Sequence, residues 1–196
     1  MSMVSRPLGK APRSETRRAR ILDAAQRVFS LSGFRGATME AIAAEASVAK
    51  ATAYSYFPDK EAIFRAVAER IADEMADLVE AAIARSKSPA EGIVAALLAK
   101  EGLAFRIIRE SPHSRDLFES TNRLAADVFA AAEHRKFNAL VKALEKMRAE
   151  KPKEAARLIA AAAAGVAAKA TSPEGLAGDL DRVLHALLKG WSRRPE

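Results

Sequence analysis

The chain has 196 residues, a formal net charge of +7 at pH 7 and no cysteine. This length suits one moderately large domain or two small domains that share a core, and a content of 49% hydrophobic and 29% charged residues is typical of a folded globular protein. The absence of cysteine excludes disulfide scaffolds, zinc fingers, thiol nucleophiles and iron–sulfur sites from this chain.

The sequence contains no apolar segment of membrane-spanning length. Its longest apolar run, Leu158 to Ala168, has 11 residues, whereas a membrane-spanning helix needs about 20. The basic N-terminal residues are not followed by a long apolar stretch, so we expect no signal peptide. We therefore expect a cytoplasmic protein.

Helical periodicity and capping signals predict an all-α chain with about nine helices and no strand. Residues 1–12 contain prolines, a glycine and basic side chains, so we expect a flexible basic arm. A first helix is predicted from Ser14 to Gly33, where glycine suits the C′ position. Most of the other predicted helices begin at a Ser, Thr, Asp or Pro residue, each of which favours the start of a helix. Their approximate ranges are 38–46, 49–57, 59–84, 88–110, 114–150, 152–169 and 172–191. The range 114–150 is expected to hold a short helix and a long one, with a break near residues 120–122.

The positive charge is concentrated in the first third of the chain. Residues 1–60 carry 10 basic and 5 acidic side chains, whereas residues 61–150 carry 14 and 15. A basic segment attached to a near-neutral body is typical of a protein that binds a polyanion such as nucleic acid. The alternative is a solvated segment that only aids solubility.

Two short predicted helices joined by a tight turn, directly after a basic helix, suggest a helix-turn-helix. Its second helix must be exposed and short enough to enter a major groove about 12 Å wide. Residues 49–57 fit this requirement, because they offer several hydrogen-bond donors interleaved with small alanines: Lys50, Ala51, Thr52, Ala53, Tyr54, Ser55 and Tyr56.

Residues 13–65 resemble the N-terminal DNA-binding domain of the TetR family of bacterial transcriptional regulators. The matching stretches are GFRGATMEAIA at 33–43, ASVAKATAYSYF at 46–57 and PDKEAIF at 58–64. The resemblance implies a three-helix DNA-binding domain over residues 13–60. It also implies a helical domain over residues 61–196, called the body below, that binds an effector and forms a homodimer.

The resemblance also implies which residues contact DNA. Phosphate contacts are expected from Thr38, Tyr54, Tyr56 and Lys60, and base contacts from Lys50, Ala51, Thr52 and Ser55. Arg17, together with Arg13 and Arg18, is expected to follow the backbone or to reach a minor groove.

The chain departs from the family pattern at two positions of the motif. Ser47 stands where the family usually has glycine in the turn, and Ala49 stands where it has Ser or Thr at the start of the recognition helix. A serine with positive φ costs about 1 kcal/mol, and a missing cap hydroxyl costs about 0.5–2 kcal/mol. Both departures put details of the operator contact in doubt without breaking the motif.

The body carries weaker signals. The last two predicted helices combine small and bulky apolar residues that suit a four-helix interface with two-fold symmetry: Ile159, Ala163, Leu180, Val183, Leu184, Leu187 and Trp191. The alternative is that these helices only complete a monomer's own core. A ligand cavity is expected among the central helices, with aromatic walls from Phe105, Phe118 and Phe137 and polar groups from Arg109, Asn122 and His134. Phenylalanines at helical spacing are also typical of plain core.

No motif in the sequence predicts an enzyme. The three histidines, His113, His134 and His185, are not arranged as metal ligands, and the sequence has no phosphate-binding loop and no nucleophile–base constellation. We therefore expect no catalytic residue, metal or cofactor. The sequence predicts a homodimeric DNA-binding repressor that a small-molecule effector releases from a palindromic operator. The alternatives are a basic protein that coats DNA without sequence preference, and a helical-bundle carrier or enzyme with incidental DNA binding.

Overall fold

The computed structural model describes residues 13–109 and 111–191. Across these two ranges the chain is all-α, as predicted, and forms nine helices: α1 (Arg13–Gly36), α2 (Met39–Glu45), α3 (Lys50–Tyr56), α4 (Lys60–Arg85), α5 (Pro89–Arg109), α6 (Ser114–Leu124), α7 (Ala126–Lys146), α8 (Pro152–Lys169) and α9 (Pro173–Trp191). No helix among the described residues is long and apolar enough to cross a membrane. The predicted arm over residues 1–12 lies outside the described residues.

Several helices begin where the sequence predicts a cap. The side chains of Thr38, Asp59 and Ser172 each accept the backbone N–H three positions further along, at 3.1, 2.7 and 3.1 Å. These bonds satisfy N–H groups that the first turn of a helix otherwise leaves without a partner. The helix starts could be predicted because each cap depends only on neighbouring residues.

The first helical segment of α1 ends at Gly33, as predicted: its φ of 70° and ψ of 176° are not helical, and a short helical segment then continues to Gly36. Another predicted helix boundary differs in the structure. The break within residues 114–150 falls at Ala125, which has φ of −143°, and not near residues 120–122. The α6 helix continues past Ser120 because that side chain is buried and because the N–H of Ala125 still donates to the carbonyl of Thr121 at 2.9 Å.

The helices enclose two main hydrophobic cores. The N-terminal core is built around Ile21, Ile42 and Ile63, which are fully buried. The core of the body has the fully buried side chains Ile93, Leu144, Ile159, Leu180 and Leu184 at its centre.

The α4 helix contributes to both cores. Ile63, Phe64 and Val67 are buried in the N-terminal core, whereas Ile83 packs against the core of the body. The N-terminal core therefore extends into α4, beyond the domain boundary that the sequence predicts at residue 60.

Candidate nucleic-acid interface

The helix-turn-helix is formed by α2 and α3, and its turn is fixed by contacts with the rest of the domain. Val48 donates its N–H to the carbonyl of Ala43 at 3.0 Å, and the guanidinium of Arg20 in α1 donates to the carbonyl of Ala46 at 2.8 Å. Both departures from the family pattern have the structural effect expected from the sequence. Ser47 has a positive φ of 51°, and no side-chain bond caps α3 at Ala49.

One face of α3 is open to solvent. Lys50, Ala51, Tyr54 and Ser55 are exposed and share this face by helical spacing, while Ala53 on the opposite face is fully buried. Thr52 is half-buried, and its carbonyl accepts a hydrogen bond from Ser55 Oγ at 2.7 Å. The arrangement gives a short helix whose outward side chains are available to a partner.

The predicted phosphate contacts fall into different environments. Thr38 and Arg17 are exposed, and Tyr54 is 41% exposed. Tyr56 is half-buried and packs against the N-terminal core. The side chain of Tyr56 therefore packs inward, whereas the side chains of Thr38 and Tyr54 lie on the surface.

Lys60 is engaged within the protein. Its ammonium donates to the carbonyls of Phe34 at 2.8 Å and Ala37 at 3.0 Å, and lies 3.5 Å from the carbonyl of Arg35. It also lies 4.6 Å from the centroid of the Phe34 ring. These contacts connect the first residue of α4 to the end of α1, so a phosphate contact by Lys60 would compete with bonds that it already makes.

An acidic residue that sequence reasoning missed lies beside the predicted base-contacting face. Glu40 of α2 forms an ion pair with Lys50 of α3, and both side chains are more than half exposed. The hydrogen bond between them lowers the pKa of Glu40 and raises the pKa of Lys50. Glu40 could be identified from the sequence as a residue of the first turn of α2, but its pairing with Lys50 depends on the angle between the two helices.

Arginine side chains connect α4 to α7. Arg65 of α4 donates to the carbonyl of Leu124 at 2.8 Å and forms a bidentate ion pair with Asp127 at the start of α7. Further along, Arg135 of α7 reaches back to the carboxylates of Asp77 at 2.7 Å and Glu80 at 2.9 Å. The pKa of Arg135 is raised by these hydrogen bonds.

The structure does not bring the predicted effector residues together. Phe118 is 65% exposed, and Asn122 and His134 are also exposed, because α6 and α7 direct other faces inward. These three residues, which were predicted to line a cavity, therefore lie on the surface. Phe105 and Phe137 are half-buried and pack against the core of the body. The side chain of Arg109 lies outside the described part of the chain.

An open groove of about 740 Å³ lies elsewhere, between α1 and α4. Its lining is largely charged and includes Arg18, Glu69, Asp73 and Arg85. The aromatic walls predicted for an effector cavity do not contribute to this groove.

The predicted dimerisation residues are also corrected in part. Ile159, Ala163, Leu180 and Leu184 are fully buried in the monomer's own core, so they are not accessible to a second subunit. Val183, Leu187 and Trp191 are half-buried at the edge of α9. Most of the apolar stripe that was predicted to form an interface is thus buried within one chain. This agrees with the alternative prediction, in which these helices complete the monomer's own core.

The face of α8 opposite to the buried Ile159 and Ala163 is exposed and made largely of small or apolar side chains. Leu158 is 39% exposed, and Ala161, Gly165 and Ala168 follow it at helical spacing on the surface. A Cβ atom added at Gly165 would meet nothing within 4 Å. Sequence reasoning missed this face because its residues are less hydrophobic than the buried stripe.

Comparison with known proteins assigns the N-terminal part of the chain. Residues 21–67 match the family model for bacterial regulatory proteins of the tetR family. The chain is also 40% identical over 76 residues to the HTH-type transcriptional regulator UidR of Escherichia coli, a match that covers 39% of this chain and 35% of UidR. The aligned part thus spans about a third of the length of this curated relative.

Solved structures extend the likeness over nearly the whole chain. SmeT, the repressor of the Stenotrophomonas maltophilia multidrug efflux pump SmeDEF, is 26% identical with a TM-score of 0.64 over 90% of both chains. A protein from Mesorhizobium loti MAFF303099 has the same fold, with a TM-score of 0.77 at 18% identity over 93% of this chain and 100% of that one. Together with the geometry of α2 and α3, these likenesses show that residues 21–67 form a helix-turn-helix domain of the tetR family type and that the chain is similar in fold to SmeT over most of its length.

Proposed function

We propose that the chain is a homodimeric, sequence-specific DNA-binding repressor that responds to a small-molecule effector. The observation that carries the proposal is the exposed face of α3, on a helix-turn-helix whose turn is held by Arg20. Short exposed helices of this kind enter the major groove and contact base edges with their outward side chains.

The DNA contacts that we propose follow the exposure of the side chains. Base edges would be contacted by Lys50, Ala51, Thr52 and Ser55, and phosphates by Thr38, Tyr54 and Arg17. The hydroxyl of Thr38 already accepts the N–H of Ala41 at 3.1 Å, so its own hydrogen remains available to a phosphate oxygen. Tyr56 and Lys60 would support the domain from within.

A dimer would place two such helices on one face of DNA. We propose that the exposed face of α8 contributes to the interface, because Ala161, Gly165 and Ala168 would let a partner helix approach closely, with Val183, Leu187 and Trp191 of α9 at its edge. Two-fold symmetry then predicts a near-palindromic operator whose half-sites are about 34–36 Å apart.

An effector would act by binding the body better in a conformation whose recognition helices do not match the operator. SmeT, which has also been solved as a complex with triclosan, supports the proposal that this chain binds a small molecule. The ion pairs of Arg65 and Arg135 connect α4 to α7, so a displacement of α7 would be transmitted to α4.

Selection of bound sequences from random DNA duplexes at physiological salt tests the proposal. An enriched inverted repeat is expected, bound more than about 100-fold better than random DNA. Binding without enrichment, and only at low salt, would favour the basic protein that coats DNA. No DNA binding at all would favour the helical-bundle carrier or enzyme.

A further inference from the structure

Two side chains, Ser111 just before α6 and Asp116 in its first turn, hold the corner between α1 and α2. The corner begins at Gly33, where φ of 70° and ψ of 176° interrupt α1. An interruption of this kind deprives nearby carbonyl and N–H groups of their partners four residues away, so these groups need other partners.

The body supplies partners on both sides of the interruption. Before Gly33, the carbonyl of Ser30 accepts a hydrogen bond from Ser111 Oγ at 2.9 Å. After Gly33, the N–H of Arg35 donates to Asp116 Oδ2 at 3.0 Å. Ser111 is buried, and the two bonds link residues 81 positions apart in the sequence.

Close packing accompanies these hydrogen bonds. A Cβ atom at Gly33 would lie 2.6 Å from Asp116 Oδ2 and 3.2 Å from His113 Cβ. The start of α6 therefore lies directly against the α-carbon of Gly33. Asp116 Oδ1 is buried without a hydrogen bond, but it lies 3.3 Å from Nε of Arg35, so the guanidinium offsets its charge.

We propose that Asp116, assisted by Ser111, is a positioning residue for DNA binding, although it belongs to the body and touches no DNA. This inference rests on the proposed function. Thr38 caps α2 directly after the corner, so the path of the chain through Arg35 determines where α2 and α3 project. Movement of the first turn of α6 would reach the helix-turn-helix through this bond, without passing along α4.

The test compares variants of the full chain on the duplex recovered from random sequences. Asp116→Ala removes the acceptor, whereas Asp116→Asn keeps a side-chain oxygen that can accept the N–H of Arg35. Glu119→Ala is the matched control, because Glu119 pairs with the exposed guanidinium groups of Arg35 at 3.4 Å and Arg115 at 3.9 Å, whereas the backbone N–H of Arg35 donates to Asp116. Ser111→Ala removes the second bond without changing the volume of the buried side chain much.

We expect Asp116→Ala to lower the affinity for the duplex about tenfold. The slope of affinity against salt should stay unchanged, because no phosphate contact is lost. Asp116→Asn should recover most of the affinity, Ser111→Ala should weaken binding by a smaller factor, and Glu119→Ala should bind as the parent does. Amide hydrogen exchange at Arg35 should be faster in Asp116→Ala and near the parent rate in Asp116→Asn.

The inference is overturned if Asp116→Ala binds as tightly as the parent, or if Glu119→Ala weakens binding equally. A reduced salt slope in Asp116→Ala would also overturn it. If Asp116→Ala does not fold, unchanged affinity in Ser111→Ala overturns the inference. A parent chain that recovers no duplex instead overturns the proposed function, and this inference with it.

Discussion

The ammonium of Lys50 pairs with the carboxylate of Glu40, so the first residue of α3 is tied to the second residue of α2. The pair bridges the two helices of the motif on their exposed side, and it also places a negative charge beside the proposed DNA-contacting face. A carboxylate at this position repels phosphates and occupies the lysine that is proposed to contact a base.

Replacing Glu40 with glutamine should strengthen binding to DNA. We expect about a two- to fivefold higher affinity for operator and random duplexes alike, because the substitution removes a repelling charge and releases Lys50. Affinities for both duplexes over a range of salt concentrations check this result. Glu45→Gln is the control, since Glu45 pairs with Arg27 at 2.6 Å, away from the exposed face of α3. A lower affinity in Glu40→Gln would mean that the helix angle matters more than the charge.

Replacing Ser47 with glycine should stabilise the domain. Ser47 has a φ of 51°, a conformation that glycine adopts without the steric cost, so we expect the free energy of unfolding to rise by up to about 1 kcal/mol. Chemical denaturation measures the change. Arg148, with φ of 57°, provides the comparison: Arg148→Gly should stabilise by a similar amount and leave DNA affinity unchanged. A loss of stability in Ser47→Gly would show that the serine hydroxyl compensates for the strain.

Replacing Lys60 with methionine should lower stability without changing the salt dependence of DNA binding. The substitution keeps the aliphatic stem but removes the bonds to the carbonyls of Phe34 and Ala37, so we expect unfolding to be easier by about 1.5–3 kcal/mol. Denaturation and the slope of log affinity against log salt are measured together. Unchanged stability with a slope reduced by about one would instead support the phosphate contact expected from the sequence.

The ion pair between Arg65 and Asp127 should persist in acid. Its hydrogen bond lowers the pKa of the Asp127 carboxyl from 3.8 to about 2. Because the pKa of Asp127 is lower in the folded chain than in the unfolded chain, the ion pair stabilises the fold fully at pH values above 3.8. This stabilisation is lost as the pH falls through about 2. NMR titration of the Asp127 carboxyl carbon should show this midpoint, and Arg65→Ala should return it towards 3.8. An ordinary midpoint in the parent chain would mean that the pair does not form in solution.

A large charged side chain at Gly165 should disrupt the proposed dimer. The built Cβ meets nothing within 4 Å in the single chain, so Gly165→Arg should leave the subunit folded while it separates two subunits. Light scattering should report a monomer, and DNA affinity should fall with it. Gly165→Ala is the matched control: it should stay dimeric and unfold less easily, by about 0.5–1 kcal/mol, because alanine favours helix. A dimeric Gly165→Arg protein would place the interface elsewhere.

Features that depend on neighbouring residues could be predicted from the sequence. The caps at Thr38 and Asp59 and the uncapped start of α3 follow from local chemistry, and the positive φ of Ser47 was expected from the resemblance to the family motif. The exposed donors of α3 were expected from the same motif, whereas Ala53, which lies between them in the sequence, is buried. Nothing beyond the motif is required for these expectations.

Features that depend on distant residues could not be predicted. The bond between Arg35 and Asp116 joins positions 81 residues apart, and the acceptors of Lys60 are carbonyls of residues 23 and 26 positions away in the sequence. The stripe around Leu180 was assigned to an interface because it is strongly apolar. A strongly apolar stripe is buried first against the nearest core of its own chain, and only the weaker face of α8 remains exposed.

The shared use of α4 by both hydrophobic cores has a consequence for how the chain unfolds. A fragment that ended at residue 60 would expose the cavity left by Ile63, Phe64 and Val67, so an isolated helix-turn-helix fragment should not be autonomous. Heating should melt the whole described part of the chain in one cooperative transition, and limited proteolysis should not release a stable DNA-binding fragment. Such cooperativity would make a ligand that stabilises the body protect the distant helix-turn-helix from proteases as well.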